Sequence, residues 1–317
     1  MIPNFFIAGA AKCGTTSLYH YLKQHPQVYM SPIKEPNHFS TDIQPGDFSA
    51  EYKRYEKSKN LDVASYVRGD MKQEQWGAYV HDPEDYRLLF RHAENKSAIG
   101  EISNSYLYSH VAAREIFNNL PEARIVIILR QPAERAFSHY MANLRDGRTT
   151  LPFRKEIEFD DAKPIHGWGI SHLYFELGLY YDQVKRYLDI FPRDQVKILL
   201  FDDLKNNRQQ LLVELFSFLH IDHHNGINTT EAYNEARVPR SAGLIKLITQ
   251  TGLKRKIFRL LPANSRDGLK SLFFKAEKPL FRPEDREWMT NRYREDILRL
   301  EELLHTNLQH WLVQAPN

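Results

Sequence analysis

Phe5-Phe6-Ile7-Ala8-Gly9-Ala10-Ala11-Lys12-Cys13-Gly14-Thr15-Thr16-Ser17 is the stretch on which the fold turns. Phe5–Ala8 is a short apolar run with no polar alternation, as expected of a strand buried on both faces. Gly9–Gly14 reads as a turn, and Thr15–Gln24 has the apolar spacing of a helix. A glycine-containing turn that follows a strand and opens a helix suits a phosphate. The first turn of a helix has unpaired N–H groups and the positive end of the helix dipole, and glycine lets the backbone approach the anion. Thr15, Thr16 and Ser17 add hydroxyl donors, and Lys12 adds a mobile positive charge.

Working outward, Arg124–Arg130 is β-branched and apolar on all sides, like a central parallel strand, and a helical stretch runs from Pro132 through Arg145. Val28–Met30 and Val196–Phe201 are further strands, and a helix is expected from about Lys205 to Leu219. Strands alternating with helices predict an α/β fold with a P-loop-type parallel sheet of four or five strands and helices on both faces. Apolar spacing from Glu284 to Leu312 predicts one more helix. Residues 41–82 are polar without a clear period, and 147–170 are rich in glycine and proline, so both read as irregular insertions, the second as a loop or lid. With no repeat or linker, residues 1–317 are expected to form one domain.

The glycines of 9–14 have the spacing of a nucleotide-binding GxxxxGK[ST] loop, yet Thr15 stands where that loop has lysine. The apolar strand 125–129 ends in Arg130, where an ATPase or GTPase has an aspartate that helps hold Mg²⁺. A cation there favours a phosphate over a metal. The expected ligand is therefore a phosphorylated nucleotide bound without a metal, and the 14 histidines show no HExxH-like spacing. If the glycines only shape a turn, Lys12 is a solvated side chain.

AKCGTTSLYHYLKQHP (residues 11–26) resembles the 5′-phosphosulfate loop of sulfotransferases that use 3′-phosphoadenosine 5′-phosphosulfate (PAPS), especially the bacterial and carbohydrate, heparan-type branch. ARIVIILRQPAERAFSHY (123–140) resembles that family's 3′-phosphate strand and helix. KEPNHFS (34–40), GEISNSYL (100–107), VKILLFDDL (196–204) and NEARVPRS (234–241) extend the similarity. The resemblance implies that Lys12 contacts the phosphosulfate and steadies charge on the departing phosphate. It further implies that the loop from Cys13 through Gly14, Thr15, Thr16 and Ser17 cradles the 5′-phosphate, and that Arg130 and Ser138 hold the 3′-phosphate. Glu35 matches the general base, His38 is a rival base, and Arg237 or Arg240 closes over the cofactor, whose product form is PAP. This chain departs from the pattern twice: Ile102 follows Glu101 where the branch often has lysine, leaving Lys34 or another cation to substitute, and Asn37 is an extra residue before His38.

Each side chain also has a plainer reading. Glu35 could pair with Lys34 or Lys12, His38 could be a packed residue, and Glu101 could cap a helix or orient Lys12. Arg130 could pair with Glu134 or Asp203, and Ser138 could be an ordinary helix serine. Two rival functions stay open: a Mg-ATP-dependent kinase and a non-catalytic nucleotide-binding module.

Composition bounds the rest. A net charge of +3 gives no reason to expect nucleic-acid binding. Cys13, the sole cysteine, rules out an internal disulfide and fits a reducing compartment. Asn4–Ala8 is too short for a signal core, and no apolar run approaches membrane-spanning length, so a cytoplasmic protein, at most lying on a membrane surface, is expected. Residues 244–282 carry ten Lys or Arg against Asp267 and Glu277, interleaved with apolar residues. Such a stretch can be a solvated helix face, a membrane-surface contact or a guide for an acidic substrate. A sugar or glycolipid hydroxyl is the favoured acceptor, with a small metabolite next.

Overall fold

The computed structural model describes residues 1–230 and 280–313, with short pieces at 238–239, 241, 243 and 274–275. The chain divides into two compact units. The first takes Met1–Arg130, Gly167–Ile170 and the segment from Leu179. The second takes Gln131–His166, Ser171–Gly178 and the C-terminal residues.

The first unit is built on a five-stranded, wholly parallel sheet. Its strands are β1 (Phe5–Gly9), β2 (Val28–Met30), β5 (Ala98–Ile102), β6 (Arg124–Leu129) and β7 (Val196–Leu200), in the order β2-β5-β1-β6-β7. Every residue of β1 is buried, which explains why its run lacks polar alternation; β5 is buried throughout as well, but it carries Glu101 and was not read as a strand from the sequence. Phe5 pairs with Gly100 across β1 and β5, and a side chain at Gly100 would meet the Phe5 ring at 2.2 Å, so this glycine makes room for the aromatic. Helix α1 (Thr15–Lys23) packs on β2. From β1 the chain leaves toward β2, while β6 and β7 extend the sheet on the other side, so the crevice beyond β1 is the place where open α/β sheets bind ligands.

The regions read as irregular contain short elements. Within 41–82 lie α2 (Ala50–Lys59), α3 (Val63–Arg68) and β4 (Gln75–Trp76), the last pairing in parallel with β3 (Ile33–Lys34). No residue of α2 is buried, so the helix carries no apolar stripe. Its sign is instead the N-cap, where Ser49 accepts from the Tyr52 amide, as Asp62 does from Ser65 at the start of α3. The helices α4 (Pro83–Leu88), α5 (Ser105–Tyr108) and α6 (Ala112–Asn119) complete the first half of the sheet's surroundings.

In the second unit, α7 (Pro132–Asp146) starts two residues after Arg130, capped by Gln131 accepting from the Glu134 amide. Residues 147–170, expected as a loop, hold α8 (Phe153–Asp161). Its buried face is half polar, Phe153 and Ile157 alternating with Glu156 and Asp160, which hid the helical period. In the first unit, α9 (Tyr180–Ile190) precedes β7. The single helix expected over 205–219 is two, α10 (Phe201–Asn206) and α11 (Arg208–Phe218), and Phe201 begins α10 rather than ending the strand. In the second unit, α12 (Pro283–Leu304) buries Met289, Tyr293, Ile297 and Leu300 and packs on α7. It stops at Leu304, short of the predicted Leu312, and a separate turn at Gln309–Trp311 follows. Of the basic segment 244–282, only Phe274–Lys275, which pair antiparallel with Val238–Pro239, and residues 280–282 are described. Its membrane or substrate role lies outside the described residues.

Candidate active site

The turn after β1 is held open by backbone geometry. Gly9 has φ 147°, and a side chain there would collide with Leu107 Cβ at 2.9 Å. The Ala10 amide donates to Ile128 O at 2.8 Å, tying the loop to β6. Lys12 and Gly14 both sit at positive φ, 71° and 94°. Gly14 is the N-cap of α1 and brings no side chain to its amides, and the first turn has no acidic residue. That turn therefore keeps its positive dipole end for an anion. Thr15 is buried, while Lys12, Thr16 and Ser17 are half-buried. Cys13 is fully buried, its Sγ 3.6 Å from the Tyr180 hydroxyl, so only its backbone can serve a ligand.

Arg130 follows β6, beside this loop. Its guanidinium lies 4.7 Å from the Phe201 ring centroid, with Nη1 3.5 Å from Lys12 O, and the Tyr180 hydroxyl donates to Arg130 O at 3.0 Å. Phe201 and Leu204 of α10 also back Gly14. One short helix thus supports both the loop glycine and the arginine. Of the plainer partners considered for Arg130, Glu134 pairs with Arg286 at 2.9 Å.

Glu35 follows β3 at φ 65°, its amide donating to Ile102 O at 2.8 Å. One carboxylate oxygen accepts from Lys34 Nζ at 2.9 Å and from Asn104 Nδ2 at 2.6 Å. The side chain is 25% exposed, whereas that of Lys34 is 3% exposed and its ammonium lies 5.3 Å from the Trp76 ring centroid. Ile102 is buried in β5, so the cation beside this carboxylate comes from Lys34. Asn104 joins the two halves of the site: its side chain holds Glu35, and its backbone oxygen lies 3.6 Å from where a side chain on Gly9 would begin. Sequence reasoning did not single out Asn104. The only signal was its position just after a buried strand, inside GEISNSYL.

His38 is packed. Its ring stacks on Tyr86 with centroids 3.9 Å apart, and Nδ1 lies 2.6 Å from Val80 O, which fixes the proton on Nδ1 and leaves Nε2 as the free lone pair. Burial pushes its pKa down, against the Val80 carbonyl. Glu101 is 0% exposed and accepts from the hydroxyls of Tyr86, Tyr106 and Ser103. Burial raises its pKa to about 7, although these three donors hold it down. It caps no helix; its carboxylate is spent on hydroxyls.

The structure thus gathers Lys12, Gly14–Ser17 and Arg130 around one loop and links them through Asn104 to Glu35. Ser138 lies half-buried on α7 in the second unit. Arg237 and Arg240 lie outside the described residues. Among the described residues, no group of three or more His, Cys, Asp or Glu is disposed to hold a metal, and no helix is long and apolar enough to cross a membrane.

A family profile described as the sulfotransferase family matches residues 3–225. This chain belongs to the sulfotransferase family. It is 25% identical over 302 residues to mouse carbohydrate sulfotransferase 15, covering 80% of this chain and 51% of that protein. It is also 25% identical over 225 residues to human bifunctional heparan sulfate N-deacetylase/N-sulfotransferase 2, covering 69% of this chain and 22% of that one. The chain spans about half the length, or less, of these curated relatives. A crystal structure of a sulfotransferase from Alicyclobacillus acidocaldarius aligns over 98% of this chain and 99% of its own, with 30% identity and a TM-score of 0.70. The five-stranded parallel sheet is the expected α/β fold of this family.

Proposed function

We propose that this chain transfers a sulfuryl group from PAPS to a hydroxyl or amine of a carbohydrate acceptor, with both units belonging to one catalytic domain. The observation that carries the reading is that Asn104 holds a partly exposed carboxylate, Glu35, while its backbone lies beside Gly9, where the loop leading into an acid-free helix N-terminus begins. The residues present suit the donor. The α1 amides, Thr16 and Ser17 face a 5′-phosphate, Lys12 neutralises charge on it, and Arg130, steadied on Phe201, takes the 3′-phosphate.

Sulfuryl transfer is an in-line displacement: an acceptor O–S or N–S bond forms as the bond from sulfur to the phosphate oxygen breaks, and the phosphate leaves with the electron pair. A phosphate leaving group needs cations and N–H donors rather than an acid, and preorganised charge of this kind is the largest catalytic contribution such a site can make. The acceptor's proton passes to Glu35, whose second carboxylate oxygen is not engaged by Lys34 or Asn104. Names of relatives such as carbohydrate sulfotransferase 15 support a glycan acceptor for this chain.

Calorimetric titration with PAP, adenosine 5′-monophosphate and ATP, each with and without Mg²⁺, tests the donor. Tight, Mg²⁺-independent PAP binding that exceeds the other two is expected, and Mg²⁺-dependent ATP binding with indifference to PAP would overturn the assignment. Transfer of radiolabelled sulfate from PAPS to N-desulfated heparin or chondroitin tests the acceptor class. PAP binding without transfer to any glycan would leave a binding module in place of a carbohydrate sulfotransferase.

A further inference from the structure

Glu101 has no part in the proposed transfer, yet it is a wholly buried carboxylate close behind the base. Oε1 accepts from Tyr106 at 2.6 Å and from Tyr86 at 2.9 Å, and Oε2 accepts from Ser103 at 2.7 Å. Each of these groups in turn holds one residue of the segment after Glu35. The Asn37 amide donates to Ser103 Oγ at 3.0 Å, the Phe39 amide donates to the Tyr106 hydroxyl at 3.3 Å, and the His38 ring lies flat on Tyr86. Three consecutive residues thus depend on three side chains that share one carboxylate.

The segment needs holding. Glu35 and Asn37 both have left-handed backbone, φ 65° and 52°, which costs about 1–2 kcal/mol at Glu35 and less at Asn37, whose side chain donates to Glu35 O. Backbone bonds from Ala78 and Val80 to Glu35 O and Pro36 O supply part of the hold, and the direction of the hydroxyl protons supplies it at Asn37 and Phe39. A serine or tyrosine hydroxyl has a single proton, and it can accept from a loop amide only while that proton points elsewhere. An anion at Glu101 draws the Ser103 and Tyr106 protons inward and turns their lone pairs toward Asn37 and Phe39. A buried carboxylate is costly, and an apolar residue of similar size would pack at less cost. What the carboxylate adds is acceptor capacity for three donors at one point.

We infer that Glu101 is a positioning residue: through Ser103, Tyr106 and Tyr86 it fixes the backbone of 37–39 and thereby aims the Glu35 carboxylate. The inference rests on Glu35 being the base.

The test uses the full chain and the variants Glu101→Gln, Ser103→Ala and Tyr106→Phe. Hydrogen–deuterium exchange is read at 36–40 and at the 9–17 loop, with PAP affinity and turnover on N-desulfated heparin measured alongside. In Glu101→Gln the introduced side-chain amide donates where a carboxylate oxygen accepted, so at least one hydroxyl loses its acceptor and its proton is no longer held away from the loop. Losing one loop hydrogen bond predicts exchange at 36–40 faster by about tenfold. A misaimed base predicts kcat lower by about tenfold to a hundredfold. PAP affinity, the KM for PAPS and exchange at 9–17 should stay within about twofold, since no donor contact is lost. Unchanged exchange at 36–40, or faster exchange spread evenly over β1 and β5, overturns the inference. If Glu101→Gln does not fold, Ser103→Ala decides alone, because it removes the acceptor for the Asn37 amide while leaving two of the three donors to Glu101, Tyr86 and Tyr106, in place. The base assignment fails separately: Glu35→Gln then keeps turnover, while faster exchange at 36–40 in Glu101→Gln still supports the hydroxyl network.

Discussion

Glu101 should leave a measurable signature in the pH dependence of stability. In the folded chain its pKa is raised from the ordinary 4.5 to about 7, chiefly by burial, with Glu35 adding a small push in the same direction. The tyrosine hydroxyls packed against it do not titrate in that window, and the titration of His38 is common to wild type and variant. The hydroxyls of Tyr86 and Tyr106 are pushed well above their ordinary value, Tyr187 is raised as well, and His38 on the far side of Tyr86 is pushed down. Between pH 4.5 and 7 the folded chain keeps a proton on Glu101 that the unfolded chain has lost. The stabilisation is fully present below 4.5, declines by about 1.4 kcal/mol per pH unit and is gone above 7, a total of about 3 kcal/mol. Glutamine does not titrate, so urea unfolding of wild type and Glu101→Gln from pH 4 to 8 isolates this group. The wild type should lose about 3 kcal/mol relative to the variant as pH rises. Parallel pH profiles, or a wild type that gains on the variant, would refute the buried, proton-retaining carboxylate. The anion that orients Ser103 and Tyr106 is therefore the less stable form of the fold, a cost consistent with a role other than stability.

Gly14→Ala should destabilise the chain by about 2–4 kcal/mol, because φ is 94° and the new methyl would lie 2.6 Å from Leu204 Cδ2 and 3.0 Å from Phe201 Cδ2; urea unfolding measures this, and a loss below about 1 kcal/mol would contradict the packing. Arg130→Ala should weaken PAP binding by about 2 kcal/mol or more, as expected for losing a charge-assisted contact, and weaken adenosine 5′-monophosphate far less. Equal calorimetric losses for both ligands would remove Arg130 from the 3′-phosphate. Glu35→Gln should keep PAP affinity and lower turnover by about a hundredfold or more; near-normal turnover would move the base elsewhere, with His38 Nε2 the next group to test by substitution.

The parts of the fold legible in the sequence were those whose physics is local. β1 and the body of β6 are buried on a parallel sheet, so they read as unbroken apolar runs, β7 at the sheet edge reads as one interrupted by Lys197, and the loop before α1 combines glycines at 9 and 14 with hydroxyls at 15–17. Helices α2 and α8 escaped because one buries nothing and the other buries acids among its apolar residues, leaving the Ser49 cap as the main sign of α2. Within the site, Lys12, Gly14 and Arg130 lie in or next to such local motifs, whereas Glu35 was marked by resemblance.

What the sequence by itself determined is the strand, the glycine loop and the helix that follows, because a turn of backbone and its nearest neighbours suffice to specify them. Only the tertiary structure decided the surroundings of the carboxylates. Glu35 is left 25% exposed beside Lys34 and Asn104, and Glu101 is sealed among Tyr86, Tyr106 and Ser103. Exposure and hydrogen-bond partners set what a carboxylate can do. For Glu35 one decisive partner, Asn104, lies 69 positions along the chain, a distance only folding closes.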